Sequence, residues 1–316
     1  MGAVRAWPVS AALPAVAVLG GTGCVGGAVT TAFASAGHPV LGVARTRQPG
    51  PFDGRFLELD VAAAEPVELA RLLASANVRI VVNATGGWLT TDEANEQTHT
   101  RLVERLINGL ALLPRPPRMI QIGSIHEYGP VPVGTTIDES VTPRPVTSYA
   151  RSKLAGAEAI LVATREGRVD GVVLRAANIC GPGVAAASFL GSVVRRLRAA
   201  TSAAPAELSV GQARRDFLDV RDLAAAVVSA AAAPVTGRVI NIGSGEAVLM
   251  RDLLAFLIAV SGLPAEVVRV REAPVESKGG DWTLVDTGLA AKVLGWRPRI
   301  GMPDSMKDMW DASADF

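Results

Sequence analysis

Lysine is scarce in this chain of 316 residues: of 31 basic side chains only Lys153, Lys278, Lys292 and Lys307 are lysines. Tyrosine is scarcer still, with Tyr128 and Tyr149 alone. The two cysteines, Cys24 and Cys180, are too few for a disulfide framework and show no metal-ligand pattern. Three histidines without paired spacing, His38, His99 and His126, argue against a zinc site, so no metal is expected. Nor is there an uninterrupted apolar run of the roughly 18 residues that a membrane span needs. Charge of one sign is missing as well. Lys+Arg 31 against Asp+Glu 30 leaves a formal charge of +1, which removes the electrostatic case for a dedicated nucleic-acid or anionic-membrane binder.

What is present is apolar. Hydrophobic residues make up 49% and charged residues 19%, enough for a sizeable core and too apolar for disorder as the main state. The length suits one large α/β domain, or a domain plus a smaller lobe. The apolar opening from Met1 to Leu19 is read as a loose tail, Met1 to Pro14, before a first strand. Pro8 and Pro14 interrupt it, only Arg5 leads it, and it runs straight into a glycine motif, which does not suit a signal peptide. A cytoplasmic protein follows.

Short β-branched runs alternate with longer Ala/Leu-rich segments, the pattern of βαβ units on a parallel sheet. Strands are expected at Ala15–Leu19, Pro39–Val43, Arg55–Leu59, Arg79–Asn83, Met119–Gly123, Gly171–Arg175 and Arg238–Ile242. They read as continuous apolar runs, as strands buried on both faces should. Helices are expected at Cys24–Ala36, Pro66–Ser75, Ala94–Leu113, Tyr149–Arg165 and Arg221–Ala232. The fold class is therefore α/β, a Rossmann-type doubly wound parallel sheet over 1–177 with 214–245 returning to it. A smaller substrate lobe is expected from 178–213 and 246–316, with one further helix after Leu249, a short strand near Glu266–Arg269 and a terminal helix at Leu289–Leu294.

The glycine run Gly20-Gly21-Thr22-Gly23-Cys24-Val25-Gly26 follows the first strand and opens the first helix. In that context a glycine pattern becomes a dinucleotide site, because glycines let the backbone approach a pyrophosphate seated on the helix N-terminus. Either Gly20 or Gly21 can begin the triplet that Gly23 and Gly26 complete. A site for NAD places an acid at the end of the second strand to bind the ribose hydroxyl. Here Val43-Ala44-Arg45-Thr46-Arg47 has none, and guanidinium groups suit a 2′-phosphate, so NADP(H) is the expected cofactor. Asp60, after the third strand, could accept a bond from the adenine amino group or cap the following helix.

Tyr149 and Lys153 stand four apart at the start of a helix, on one face. Tyr-x-x-x-Lys alone is a weak pattern, but Lys153 is the sole lysine of the first 277 residues and the glycine loop precedes it. A phenol with a pKa of about 10 is a poor acid–base group at neutral pH, and a nearby ammonium would lower it into a useful range. Ser124 ends the fifth strand, where its hydroxyl could orient a substrate carbonyl or simply cap a turn.

These residues resemble the extended short-chain dehydrogenase/reductase family, in its nucleotide-sugar epimerase/dehydratase group. Further stretches carry the likeness: Ile137-Asp138-Glu139-Ser140, Leu174-Arg175, Asn178 through Gly183, Arg215 through Val220, and Leu294-Gly295-Trp296-Arg297-Pro298. The resemblance implies that Ser124, Tyr149 and Lys153 are catalytic, that Asn178 touches the substrate, that Arg215 binds its diphosphate and that Lys153 also holds the nicotinamide ribose. The candidate cofactor set is thus Gly20, Gly23, Cys24, Val25, Gly26, Arg45, Arg47, Asp60, Val61, Ala84 and Lys153. The candidate substrate set is Gly86, Ser124, Asn178 and Arg215.

Departures from the family pattern matter too. Dehydratases place an Asp-Glu pair directly after the Ser/Thr position, where Ile125 and His126 stand here, which argues against dehydration; His126 reads as a loop residue ahead of a replacement acid. Asp219 replaces a usual histidine, and His99 stands where an asparagine is common. Among subgroups the chain is most similar to the 4-ketoreductases of nucleoside-diphosphate (above all dTDP) 4-keto-6-deoxyhexoses in antibiotic deoxysugar biosynthesis, through Gly167–Arg175 and Arg214-Arg215-Asp216. The expected activity is NADPH-dependent reduction of that 4-keto group. The rivals are a nucleotide-sugar epimerase with retained NAD and a non-catalytic NADP-binding regulator. A homodimer through the Ala94–Leu113 and Tyr149–Arg165 helices would fit the family, although one chain could equally cover those faces; no nucleic-acid or membrane partner is expected.

Overall fold

The computed structural model describes residues 13–47, 55–273 and 280–314. Most of the expected tail (residues 1–12) and Lys278 lie outside the described residues. The chain opens with β1 (Ala15–Leu19), α1 (Cys24–Ser35), β2 (Val40–Ala44), β3 (Arg55–Glu58), α2 (Pro66–Ser75) and β4 (Val78–Asn83). Next, α3 (Asp92–Glu96) runs through a π-helical turn, Gln97–Arg101, into α4 (Leu102–Ala111), followed by β5 (Arg118–Ser124), α5 (Ser148–Arg165) and β6 (Asp170–Ala176). Then come β7 (Asn178–Cys180), α6 (Phe189–Arg198), β8 (Ala206–Val210), β9 (Arg214–Asp219), α7 (Val220–Ala232) and β10 (Arg238–Ile242). The remainder is β11 (Ala247–Leu249), α8 (Met250–Ser261), β12 (Val268–Glu272), α9 (Gly288–Leu294) and α10 (Met302–Asp311).

Seven strands form one parallel sheet in the order β10-β6-β5-β4-β1-β2-β3. These are the seven strands read from the apolar runs, so the doubly wound α/β class is what the chain adopts. Alternation within each strand feeds two cores. Val16 and Val18 point to one, which α1 and α7 cover with Val29, Phe33, Leu223 and Val227. Ala17 and Leu19 point to the other, which α2, α4 and α5 cover with Leu69, Leu106, Ala157 and Ile160. With both faces covered, ligands can reach these strands only at their ends.

The helix expected after Leu249, the strand near Glu266–Arg269 and the helix at Leu289–Leu294 appear as α8, β12 and α9, whereas the stretch from Arg214 to Asp219 does not return to the main sheet. β9 pairs with β7 and β11 in a small separate sheet, and β8 pairs in parallel with β12. None of β7, β8, β9, β11, α6 or α10 is visible as periodicity, because each is short or amphipathic around a third, local core. That core gathers Leu190, Val194 and Leu197 of α6, Leu208 of β8, Leu253 and Leu257 of α8, and Met306 and Met309 of α10. Two buried carboxylates tie it to the main body. Asp216 accepts hydrogen bonds from the Ser244 amide and hydroxyl and from the Gly245 amide. Asp222 accepts the amides of Arg299 and Ile300, beside Trp296 Nε1, which donates to the Asp222 carbonyl at 3.1 Å.

The helix expected at Ala94–Leu113 forms with the π turn inside it, and that turn brings the His99 carbonyl against α5. A Cβ on Gly156 would lie 2.2 Å from that oxygen. Gly156→Ala must therefore push α5 away from the turn, an overpacking that costs about 1–3 kcal/mol or more. Thermal unfolding should show a melting temperature lowered by several degrees, and an unchanged value would contradict this packing.

Candidate active site

Most candidate residues follow the carboxyl ends of the parallel strands, the edge where open α/β folds bind ligands, while Tyr149 and Lys153 come from α5 and Arg215 from β9 of the small sheet. At β1, Gly20 adopts φ +76° and its amide donates to the Val43 carbonyl. A Cβ on Gly26 would lie 2.0 Å from the Gly20 carbonyl oxygen, so α1 meets the turn as closely as bare backbone permits. Thr22 and Gly23 remain exposed at the start of this 12-residue helix, and no side chain caps it. A pyrophosphate fits there: backbone N–H groups are left for it, and a glycine cradle gives it access. Cys24 lies within that turn; burial pushes its thiol up to about 11, which removes it from thiolate chemistry.

Arg45 and Arg47 follow β2 and are exposed, with the Arg47 guanidinium 5.8 Å from the Phe56 ring centre. Asp60 is not the cap of α2, whose N-cap is Glu65. Its carboxylate accepts the Ala62 amide at 3.0 Å and holds an intervening turn, while Val61 is buried. Ala84, beyond β4, donates its amide to Leu19.

At β5 the reacting groups converge. Ser124 is the N-cap of a 3₁₀ turn over Ile125–Tyr128: its hydroxyl accepts the His126 amide, and the Glu127 carboxylate accepts the Ser124 amide at 2.7 Å. The Ser124 hydroxyl also lies beside the Tyr149 phenol, near enough to favour its ionised form. Capping and contact with the phenol thus coexist. Tyr149 stacks on Trp88, ring centres 4.3 Å apart at 21°, and meets the His99 ring edge-on at 5.3 Å. Lys153 is buried, and its ammonium donates to the carbonyls of Ile122 (3.0 Å) and Thr85 (3.4 Å).

The expected lowering of Tyr149 by Lys153 is not what this arrangement produces. Burial pushes the phenol up to about 12, with the Ser124 hydroxyl opposing and the Glu127 carboxylate adding to the rise. The Lys153 charge is instead directed at two carbonyls, and burial pulls its ammonium down to about 8. Tyr149 is consequently a fully protonated phenol at neutral pH.

His99 is buried beside Lys153, with Nε2 positioned to donate to the Gly87 carbonyl at 3.2 Å and Nδ1 without a hydrogen-bond partner among the described residues. Burial and the lysine charge push it down to about 3. Gly86 (φ +137°) forms part of the same floor: a Cβ there would lie 3.1 Å from Lys153 Nζ and 2.7 Å from His99 Cε1. His126 hydrogen-bonds Asn178 and faces Arg215, and burial with that cation pushes it down to about 4. Asn178 Nδ2 also donates to the Asp216 carbonyl at 2.9 Å, and Arg215 Nη2 donates to Gly280 at 2.7 Å. The structure therefore brings Gly86, Ser124, Tyr149, Lys153, Asn178 and Arg215 into one neighbourhood, with His126 of the Ile125–Tyr128 turn among them. Asp219 is structural: it caps α7 and pairs with Arg221.

Sequence reasoning passed over Trp88 and Glu127. The first carries a weak signal, a large aromatic after Gly86-Gly87. The second carries a clear one, since Ser124-x-x-Glu127 is a capping-box pattern.

A glycine cradle, a Ser–Tyr–Lys group and a parallel sheet with this strand order define a dinucleotide-dependent short-chain dehydrogenase/reductase architecture. The sequence profile of the NAD dependent epimerase/dehydratase family matches residues 16–243, and the chain belongs to that family, whose members work with a nicotinamide cofactor. A dTDP-6-deoxy-L-talose 4-dehydrogenase (NAD(P)(+)) of Kitasatospora kifunensis is 39% identical over 303 residues, 95% of either chain. Two solved structures share the fold. UDP-glucuronic acid 4-epimerase from Bacillus cereus, in complex with UDP-glucuronic acid and NAD, has a TM-score of 0.80 at 20% identity, covering 94% of this chain and 98% of that one. RMD from Pseudomonas aeruginosa, complexed with NADPH, has a TM-score of 0.77 at 22% identity, covering 95% and 99%.

The two depressed histidines make a stability prediction. Unfolded histidines take up protons near pH 6.5, whereas His99 and His126 in the fold resist until about 3 and about 4. The unfolded state therefore binds more protons across that window, and stability falls as pH falls from 6.5 towards 4. Glu127 and Asp216, whose carboxyls burial raises, act in the opposite sense, so the histidine contribution is read as a difference. His99→Gln/His126→Gln should flatten the decline of stability between pH 6.5 and 4 by on the order of a few kcal/mol, measured by denaturant unfolding. An identical slope in variant and parent would refute it.

Proposed function

We propose that the protein is an NADPH-dependent reductase of a nucleoside-diphosphate 4-keto-6-deoxyhexose, with dTDP as the nucleotide. The observation that carries this reading is the Ser124 hydroxyl beside the Tyr149 phenol at the sheet edge, with Lys153 one helical turn further along α5. The phenol carries the proton that reduction of a ketone requires. The 4-dehydrogenase relative supports the substrate class, since that enzyme is a 4-dehydrogenase of dTDP-6-deoxy-L-talose.

The cofactor, when bound, supplies the hydride that reaches the keto carbon. The chain's own residues do the rest. The Ser124 hydroxyl, anchored by the His126 amide, donates to the ketone oxygen and orients it. Tyr149 delivers its proton to the same oxygen as negative charge develops there, a general-acid step. Lys153 uses two of its three N–H bonds on Ile122 and Thr85, which leaves one for a ribose hydroxyl of the cofactor. In the smaller lobe's sheet, Arg215 would bind the nucleotide diphosphate, where a guanidinium is the suited partner, and Asn178 would touch the substrate beside it. The absence of an Asp-Glu pair after Ser124 leaves the site without the acid and base that dehydration uses.

Tyr149→Phe keeps the ring stacked on Trp88 and removes the proton. NADPH should bind normally while turnover falls by roughly 10²–10⁴. Parent enzyme should consume about one NADPH for each ketosugar converted, followed by absorbance and by chromatography of the sugar nucleotide. Sugar conversion with no loss of NADPH would hand the reaction to epimerisation.

Cofactor choice is tested separately. Arg45 and Arg47 would clamp the 2′-phosphate, each charge-assisted contact contributing about 1.5–3 kcal/mol. NADPH should bind more tightly than NADH, and Arg45→Ala/Arg47→Ala should close most of the gap in titration calorimetry. Equal affinity of the parent for both cofactors would rule the clamp out.

A further inference from the structure

One charge at the site plays no part in the steps above. Glu127 has 0% of its surface exposed. Its Oε1 accepts the Ser124 amide at 2.7 Å, and its Oε2 accepts the Nε–H of Arg175, on the adjacent strand β6, at 2.5 Å. Arg175 lies in turn over the Tyr128 ring, 4.5 Å from its centre. Space for the carboxylate depends on Gly123, where a Cβ would lie 2.7 Å from Oε1. Both oxygens accept from donors, so the group seated here is the carboxylate. A capping box on a four-residue turn is served equally by glutamine, which carries no charge to bury. A full charge, buried and paired across two strands, calls for another explanation.

We propose that Glu127 is a positioning residue: it fixes the Ser124 amide and seats a carboxylate behind the Ser124–Tyr149–Lys153 group, so that the Tyr149 phenol holds its proton against ionisation. The consequence for direction rests on the reductase reading; the geometry does not. The groups that face Glu127 are Arg175 from β6 and Tyr149 and Lys153 from α5, with neutral His126 in its own turn. Its charge pushes the Tyr149 phenol up and supports the Lys153 ammonium against burial.

Having only two tyrosines makes the test direct. Phenolate absorbance of the full-length protein is followed after rapid pH jumps, with Tyr149→Phe as the reference that isolates Tyr149. In Glu127→Gln, which keeps an oxygen for the Ser124 amide, the Tyr149 phenolate should form at a pH lower by about one unit. The alkaline limb of NADPH-dependent turnover should move with it, with kcat changed and KM for the sugar nearly constant. Glu127→Asp keeps the charge and should recover most of the shift. Glu127→Gln strands Arg175 in the interior, so Glu127→Gln/Arg175→Met serves as a second variant with the same expected shift. A Tyr149 titration that stays in place in either folded variant overturns the proposal, even if turnover is lost. A shifted titration in a protein that reduces no ketosugar keeps the positioning role and removes the reductase reading.

Discussion

Burial of both faces of the parallel sheet is the constraint on which the remainder rests. Val16 and Val18 feed one core and Ala17 and Leu19 the other, so no strand side chain inside the sheet is left for chemistry. Function is confined to the carboxyl-terminal edge, and strand order alone decides which residues become neighbours there. The sequence β2-β1-β4-β5-β6 lines up Arg45, Gly20, Ala84, Ser124 and Asn178 across adjacent strands. At a strand spacing of about 4.8 Å, the glycine turn and Ser124 are separated by about 10 Å. A ligand laid along this edge touches the cradle and the Ser–Tyr pair together because β4 separates β1 from β5.

Proton placement at that edge follows from burial more than from pairwise charge. His99 and His126 are held neutral by loss of water around them, and the same burial moves the Tyr149 phenol further above the neutral range. Lys153 keeps its charge with two carbonyl acceptors and a nearby carboxylate in support. The site thus contains one mobile proton source flanked by imidazoles that do not compete for its proton.

The sheet and the site were largely legible because their signals are local. Gly20 to Gly26 sits between a strand and a helix, Tyr149 and Lys153 are one helical turn apart, and the seven strands are each apolar enough to stand out. What was not legible depends on partners far away in sequence. β7, β9 and β11 have three to six residues and exist only by pairing with one another. The π turn at Gln97–Arg101 is set by close packing on Gly156, which no propensity encodes. Tyr149 and Lys153 were correctly paired on one face, yet spacing could not reveal that the ammonium would bond Ile122 and Thr85. Ser124 and Glu127 show the intermediate case, a local pattern present in plain view whose importance rests on Arg175, 48 residues further on.

The third core has a bearing on how the chain folds as it is made. It begins with Cys180 and Leu190 and is completed by Met306 and Met309, so its two halves are more than 100 residues apart. The main sheet, in contrast, has its last strand in place at Ile242. During synthesis the glycine cradle and the Ser124 turn can therefore form while the lobe that carries Asn178 and Arg215 is still open. The nascent chain passes through a stage with a cradle fit for a dinucleotide and no closed lobe, until α10 emerges and seals it. A dinucleotide in the surrounding solution would be positioned to act as an early folding ligand, stabilising the sheet before the last helix exists.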